Sequence, residues 1–281
     1  MLKKLKLLSL FVVAFAFATQ AQELPAPSPF AKIHQRVGLT DIDIEYSRPS
    51  IKGREIFGGL LTEGKTWRTG ANAPTLISLS KSATIGGVEV PQGTYSVFTR
   101  LTGTDWTLLL NSDVKASEGT FKDDLVIAEI PLQVHENEDV VETMVFSFIN
   151  LSDDFAQLNF AWEKYTWSAD IQVDSKEQAK KNIEEKMSEA DLGFYPYHSS
   201  ASYYLANNIE LKKALEWSKK SVELNAQYWN VGTLAELYYV NGDKKNAIKT
   251  AKQSLELAKE VGDDAYVFKN QENIKKWSAE K

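Results

Sequence analysis

Hydrophobic and polar residues alternate with a period of two along the first part of the chain, from about Ile33 to Val173. Ile42, Ile44 and Tyr46 alternate with acidic residues, as expected for a strand that is buried on one face. Similar short runs recur between turns that contain glycine or proline. They predict nine further strands, at Thr75–Ser80, Ala83–Ile85, Val88–Val90, Thr94–Phe98, Trp106–Leu110, Leu125–Val134, Val141–Ile149, Leu158–Trp162 and Trp167–Val173.

The period changes to that of an α-helix after Asp174. Short strands with no helical pattern between them are typical of an antiparallel sandwich or jelly roll. The two periods together predict an α+β chain with two segregated domains. An antiparallel β-sandwich or jelly-roll-like domain occupies residues 22–173, and a short α-helical domain occupies residues 174–281.

The predicted helical domain contains an internal repeat. Residues 213–224 align with residues 246–257 at an offset of 33, one short of the tetratricopeptide period. The stretch therefore resembles tetratricopeptide repeats, and a last helix is predicted from Asp264 to Ala279. Such repeats hold a protein or peptide partner in a concave groove, or they only support the neighbouring domain. Small residues recur where two helices must touch, at Ala214, Ser218, Ser221, Ala247, Ala251 and Ser254.

The first 21 residues have the pattern of a secretory signal peptide. Lys3, Lys4 and Lys6 precede an apolar run from Leu7 to Ala18, and Ala21 offers a cleavage position. The run is shorter than the roughly 20 apolar residues that span a bilayer. We therefore expect a cleaved signal peptide at residues 1–21, a periplasmic or secreted protein, and no transmembrane segment after cleavage.

Charge and cysteine content exclude several functional classes. The chain has 281 residues, with 32 basic and 38 acidic side chains, so its net charge of -6 argues against a nucleic-acid binder. The cysteine count of zero excludes disulfides, thiolate metal sites, a cysteine nucleophile and a lipid-attachment cysteine. The three histidines are too scattered for a spaced metal motif. We therefore expect neither a cofactor nor a metal.

One stretch, Tyr46–Asn72, is chemically unusual, and we call it the candidate loop. It holds five basic residues against two acidic ones, together with five glycines and Trp67. So many glycines predict a long ordered loop between two strands, and such loops are often functional. Arginine suits carboxylate or phosphate groups, and tryptophan offers a flat face to a sugar. Arg48, Arg54, Arg68 and Trp67 could thus form a pocket for an anion or a sugar acid. Alternatively, the arginines pair with acidic residues and hold the loop in place.

The candidate loop also carries a family resemblance. The motifs are Tyr-Ser-Arg-Pro at residues 46–49, Lys-Gly-Arg at 52–54, Trp-Arg-Thr-Gly-Ala-Asn at 67–72 and Pro-x-Gly-x-Tyr-Ser at 91–96. Together they resemble the bacterial family called domain of unknown function 2911, over about residues 29–173. The resemblance implies a secreted protein, commonly of Bacteroidota-type bacteria, with helical repeats after the β-domain. It implies no activity, and it marks as positions of interest Arg48, Lys52, Arg54, Trp67, Arg68 and Asn72.

Two other features are weaker indications of a site. Asp41, Asp43 and Glu45 lie on one face of a predicted strand and could bind calcium, but alternating polar residues are also what a solvated strand face shows. His135 lies on the polar side of another predicted strand, beside Glu136, which indicates an exposed side chain.

Three functions are compatible with these observations. The first is a secreted, non-enzymatic binding or interaction module that uses the candidate loop and the helical repeats. The second is a structural envelope protein without a small ligand, in which salt bridges hold the loop. The third is an enzyme acting on carbohydrate or cell-wall material, which requires two facing carboxyl groups in a pocket beside Trp67.

Overall fold

The computed structural model describes residues 24–103, 105–189 and 191–280. The predicted signal peptide at residues 1–21 lies outside the described residues. The chain divides between Val173 and Asp174 into two compact units. We refer to them as the β unit and the helical unit.

Among its described residues, the β unit has ten strands, which form one sheet. The strands are β1 (Phe30–Val37), β2 (Thr40–Ser47), β3 (Thr66–Trp67), β4 (Thr75–Leu79), β5 (Ala83–Ile85), β6 (Val88–Val90), β7 (Gly93–Arg100), β8 (Asp105–Asn111), β9 (Val126–Ile149) and β10 (Phe155–Gln172).

The strand order across the sheet is β1-β2-β4-β7-β8-β9-β10-β5-β6, with β3 added beside β7. Each of these pairings is antiparallel. The predicted fold class, an antiparallel β part followed by a helical part, is therefore confirmed.

The sheet folds over so that strands far apart in its order share one core. The ring of Tyr46 on β2 lies 5.0 Å from the ring of Phe146 on β9, and its hydroxyl accepts a hydrogen bond from the Phe146 backbone N–H at 3.1 Å. Trp67 on β3 stacks on Trp162 of β10 at 5.6 Å. These contacts join both parts of the sheet in a single apolar cluster.

The strand boundaries differ from the predictions in two respects. Strands β1 and β3 were not predicted. In β1, Lys32, His34 and Arg36 lie on the exposed side, and the opposite side is only partly apolar, so its alternation is weak in the sequence. β3 is only two residues long, which is too short to show a pattern. In addition, the two runs predicted within residues 125–149 form the single strand β9, and the two runs within residues 158–173 lie almost entirely in β10.

The long strand β10 nevertheless changes direction near Glu163, which has a left-handed backbone with φ of 57°. On either side of this residue, the rings of Phe160 and Trp167 stack at 5.1 Å. The Ser168 hydroxyl donates to the Asn159 side chain at 3.1 Å. The two halves of β10 therefore lie side by side. They correspond to the two predicted strands, and the difference is that the residues between them also belong to the strand.

The described part of the helical unit contains six helices, which pack in chain order. They are α1 (Ser175–Met187), α2 (Phe194–Ala206), α3 (Leu211–Leu224), α4 (Tyr228–Val240), α5 (Lys244–Val261) and α6 (Asp264–Ala279). The two aligned segments of the internal repeat fall on α3 and α5, and the recurring small residues of these helices are buried. The structure is thus consistent with tetratricopeptide-like repeats, and the predicted last helix matches α6.

The same type of buried polar contact occurs once in each of the two repeats. The Asn230 side chain on α4 donates to Ser221 Oγ on α3 at 3.0 Å, and Asn270 on α6 donates to Ser254 Oγ on α5 at 2.9 Å. Because buried polar groups need partners, Ser221 and Ser254 fix how each helix meets the next. Within the described residues, no helix is long and apolar enough to cross a membrane.

Candidate functional site

The candidate loop leaves the end of β2 and returns to the sheet before β4. The sequence predicts an irregular loop over its whole length, but this prediction is wrong at one point. Thr66 and Trp67 form the short strand β3, which pairs with Arg100 and Thr99 of β7. This pairing anchors the second half of the loop to the centre of the sheet. The glycines around it had concealed the short strand.

The first half of the loop is attached to β9. The Met144 backbone N–H donates to Pro49 O at 3.0 Å, and the Ile51 N–H donates to Glu142 O at 2.9 Å. The hydroxyls of Ser50 and Thr143 lie between these bonds, 2.8 Å apart. We call Pro49–Ile51 the closure segment, because it joins the chain after β2 to a distant strand.

Arg48 and Arg54 direct their guanidinium groups to backbone carbonyls around the closure segment. Arg48 Nε donates to Met144 O at 2.9 Å. Arg54 donates from Nε to Ile51 O at 3.0 Å and from Nη2 to Ser50 O at 2.7 Å. These contacts agree with the interpretation that the arginines hold the loop, although their partners are carbonyls rather than the expected acidic side chains.

Lys52 lies beside the same contact but is positioned through its backbone. Its N–H donates to Glu142 Oε1 at 2.9 Å, and its φ of 49° is left-handed. The residue is exposed. The lysine side chain therefore lies at the surface and does not line the pocket described below.

Trp67 is buried, with 6% of its surface exposed. Its indole Nε1 donates to Gly70 O at 3.0 Å, so its one polar atom is satisfied. The ring packs on Trp162 and lies edge-on to Phe160 at 6.3 Å. Trp67 therefore anchors the following turn to the core.

The turn that follows, Arg68–Asn72, has a strained backbone. Thr69 and Asn72 have φ values of 51° and 59°, and the left-handed region is unfavourable for a β-branched residue such as threonine. Two hydrogen bonds hold Thr69 there: its hydroxyl meets Thr99 Oγ1 at 2.8 Å, and its carbonyl accepts from Thr75 Oγ1 at 2.8 Å. Strain that is held in this way is common at ligand sites.

A pocket of about 680 Å³ opens beside this turn, and we call it the loop pocket. Three of the six predicted positions contribute to its lining, namely Trp67, Arg68 and Asn72. The other three do not line it, because they lie at the closure segment. The remainder of the lining that matters chemically comprises Leu60, Leu61, Lys65, Leu101, Glu118 and Phe121.

Arg68 is paired with Glu118, which lies in the connection between β8 and β9. Arg68 Nε donates to Glu118 Oε1 at 2.7 Å, and Nη2 contacts the other carboxylate oxygen. Partial burial acts to raise the pKa of Glu118, but the hydrogen bonds and the charge of Arg68 outweigh it and hold that pKa below its usual value. Arg68 also donates to Asn72 O, which fixes the turn.

Sequence reasoning missed Lys65 and Glu118 as pocket residues. Lys65 lies within the candidate loop, and its charge was the only available signal. It is exposed and has no ion pair among the described residues. Glu118 is 50 residues away from Arg68 in the chain, so no local pattern could have linked them.

The acidic face of β2 is a solvated ladder of ion pairs. Across from it, β1 supplies Lys32, whose Nζ lies 3.0 Å from Glu45 and 3.4 Å from Asp43. Arg36 lies 3.6 Å from Asp41. Each of these three carboxylates, which could bind calcium by residue type alone, thus faces a cation on β1.

The helical unit presents a second candidate site at the N-terminal ends of α2 and α4. There the ring of His198 lies 4.4 Å from that of Trp229, and the ring of Tyr195 lies 6.4 Å from both. We call these three residues the aromatic cluster. His198 Nδ1 is buried without a hydrogen-bond partner in the described part of the chain, whereas Tyr195 is 63% exposed.

Comparisons with known proteins identify a family but no activity. Among solved structures, the solution structure of a Bordetella parapertussis protein covers 35% of this chain and 85% of its own, with 14% identity and a TM-score of 0.31. A score this low does not establish a shared fold. A comparison with curated proteins found no match. The sequence model described as "Protein of unknown function (DUF2911)" matches residues 28–171, which include β1–β9, nearly all of β10 and the candidate loop. This match covers half of the chain, which therefore belongs to the DUF2911 family.

Proposed function

We propose that this chain is a secreted bacterial envelope protein whose β unit is a non-enzymatic binding module, with the loop pocket as its ligand site. The signal-peptide pattern of residues 1–21 supports the location. The observation that carries the binding role is the pocket itself. Its volume of about 680 Å³ lies within the usual range for small-molecule sites.

The lining indicates a small anion with an apolar part. Lys65 and Arg68 provide two positive charges and Glu118 one negative charge, so one positive charge remains in excess. Opposite them, Leu60, Leu61, Leu101 and Phe121 offer apolar surface. Because Arg68 is already paired, Lys65 is the group available to neutralise a carboxylate or phosphate.

The alternative functions find less support in this pocket. Among its described lining residues, Glu118 is the only carboxylate, and its lowered pKa suits neither a general acid nor a facing pair. A purely structural loop agrees with Arg48 and Arg54, which bind carbonyls. It does not explain why Lys65 stands unpaired at the edge of an open pocket.

A thermal-shift screen of the purified protein tests the proposal. The probes are sugar acids, sugar phosphates and short aliphatic carboxylates. A ligand at 100 times its Kd should add about 2.7 kcal/mol to the stability of the folded protein. We expect at least one probe to raise the Tm of the wild type and to lose that effect with Lys65→Gln.

Lys52→Gln is the matched control, because it removes the same charge from the same loop outside the pocket. We expect this variant to respond as the wild type does. A shift that persists with Lys65→Gln, or the failure of every probe to raise the Tm, would contradict the assignment of the loop pocket.

The aromatic cluster supports a second role, binding of a protein or peptide partner by the helical unit. The exposed side chain of Tyr195, next to the rings of His198 and Trp229, can supply both aromatic contact area and a hydroxyl for hydrogen bonding. Selection from a random peptide library should enrich peptides that bind the wild type and lose binding to Trp229→Ala. Phe268→Ala, at an exposed position of α6, should keep them. Enrichment that does not depend on Trp229 would refute the role.

A further inference from the structure

A second cavity, of about 640 Å³, lies on the outer side of β9 and β10. Its lining differs from that of the loop pocket, because nearly all of its polar groups are amides and hydroxyls. We call it the amide groove, and the side chains that define it are Gln133, Gln157, Asn159, Thr166, Ser168 and Gln172.

The change of direction in β10 creates this groove. Because the strand turns near Glu163, outward-facing residues from its two halves become neighbours. Asn159 accepts hydrogen bonds from Ser168 Oγ at 3.1 Å and from Thr166 Oγ1 at 3.4 Å. Gln157 Nε2 donates to Asp170 Oδ1 at 2.6 Å. These bonds fix the amides before any ligand arrives, which lowers the entropy cost of binding.

Two further amides face the groove without protein partners. Gln133 on β9 and Gln172 at the end of β10 are exposed, and neither side chain has a hydrogen-bond partner among the described residues. Each offers two N–H donors and a carbonyl acceptor. The groove thus combines a fixed polar floor with free donors and acceptors at its edge.

The remaining lining restricts the ligand further. The ring of Pro131 is exposed and apolar, and the turn at Gly86 and Gly87 presents no side chains. A Cβ at Gly86 would come within 2.4 Å of Ile130 Cγ2, so a larger residue could not fill this part of the wall. Apart from His135, Asp170 is the one ionisable group of the described lining, and its carboxylate opposes anions.

We propose that the amide groove binds a neutral saccharide. Amide and hydroxyl groups donate and accept hydrogen bonds as sugar hydroxyls do, and Pro131 can contact the C–H face of a sugar ring. An anionic ligand would meet the Asp170 carboxylate, which has the same sign of charge. The site is separate from the loop pocket and does not depend on the function proposed for that pocket.

Saturation-transfer NMR and titration calorimetry with the full-length purified protein test this site. The probes are three neutral trisaccharides, built of β-1,4-glucose, α-1,4-glucose and N-acetylglucosamine, and the trimer of galacturonic acid. We expect at least one neutral trisaccharide to bind and the acidic trimer to bind more weakly than it. The double variant Gln133→Ala, Gln172→Ala should weaken binding by about tenfold or more, since each amide hydrogen bond contributes about a factor of five.

The double variant should fold normally, because both side chains are exposed and unpartnered, and an unchanged Tm verifies this. Gln253→Ala on α5, also exposed, is the matched control and should bind as the wild type does. The proposal is overturned if none of the neutral probes binds at about 10 mM. It is equally overturned if the double variant binds as the wild type does, or if Lys65→Gln abolishes binding.

Discussion

Arg68 and Glu118 show how a single pair of residues shapes the loop pocket. Arg68 comes from the turn after β3, and Glu118 comes from the connection between β8 and β9. Their bidentate contact connects two loops that do not flank the same strand. The two opposite charges therefore largely cancel each other, and the pair holds one wall of the pocket in place.

This pair predicts a specific loss of stability in acid. The pKa of Glu118 is lower in the folded protein than in the unfolded chain, so ionised Glu118 favours folding above the unfolded-state pKa. That contribution is lost as the pH falls below the unfolded-state glutamate pKa of about 4.3 and through the lower folded-state pKa. Urea unfolding over this pH range should show a smaller decrease for Glu118→Gln than for the wild type. Glu89→Gln, at an exposed site, should leave the decrease unchanged, and an identical pH dependence for all three proteins would exclude the effect.

His198 predicts a loss of stability in a higher pH range. Burial lowers the pKa of His198 in the folded protein, so the unfolded chain binds this proton more readily. Stability should therefore decrease as the pH falls below the unfolded-state pKa of about 6.5. NMR titration of the imidazole should give a pKa below that value, and His198→Gln should reduce the pH dependence. If His135→Gln, at an exposed site, removed the same dependence, the assignment would be wrong.

At the scale of elements, the turn after β3 leaves no room for a side chain at Gly70. A Cβ there would lie 2.7 Å from Thr75 Oγ1 and 3.3 Å from Ser47 O. We expect Gly70→Ala to destabilise the protein by about 1–3 kcal/mol and to weaken any ligand of the loop pocket. Chemical denaturation measures the first effect. Gly119→Ala, where only Ser117 Oγ lies as near as 4.0 Å, should be close to neutral.

In the helical unit, the repeated asparagine–serine contacts predict matching sensitivities. Asn230→Ala and Asn270→Ala each remove a buried amide and leave a serine hydroxyl without that donor. Each should cost about 1–3 kcal/mol, measured by urea unfolding. Asn246→Ala, near the start of α5, is the comparison, because the amide of Asn246 donates to Asp243 Oδ2 within the same helix start and not to a neighbouring helix. A neutral result for both buried asparagines would show that these contacts do not stabilise the repeats.

The elements also show how far sequence pattern extends. Alternation located β2 and β4–β6, which have one buried face, and short apolar runs between turns located β7 and β8, which are buried on both faces over much of their length. Helical period located α3, α5 and α6. The pattern missed β1, whose charged side chains pair with those of β2. It also predicted two strands where β10 continues through the change of direction near Glu163. For the site, local composition found Trp67, Arg68 and Asn72. It also included Arg48, Lys52 and Arg54, because composition does not reveal on which side of the loop a residue lies.

At the scale of the whole molecule, charge is distributed unevenly. Residues 22–173 carry 12 basic and 21 acidic side chains, whereas residues 174–281 carry 17 of each. The loop pocket is thus a small positive site within an acidic unit. Because salt screens charges over about 8 Å at physiological ionic strength, selection of an anion depends on contact with Lys65 rather than on the field of the molecule.

The closure segment has a consequence for the order of folding. Ser50 and Thr143 are 93 residues apart in the chain, whereas the helices of the helical unit pack on their sequence neighbours. Contacts between distant residues form slowly, so pulse-labelled hydrogen exchange during refolding should protect the helical amides first. The amides of Ile51 and Met144, which bond across the closure, should be protected among the last. Until then the candidate loop has no fixed course, and the ability to bind a ligand should appear only with this slowest phase.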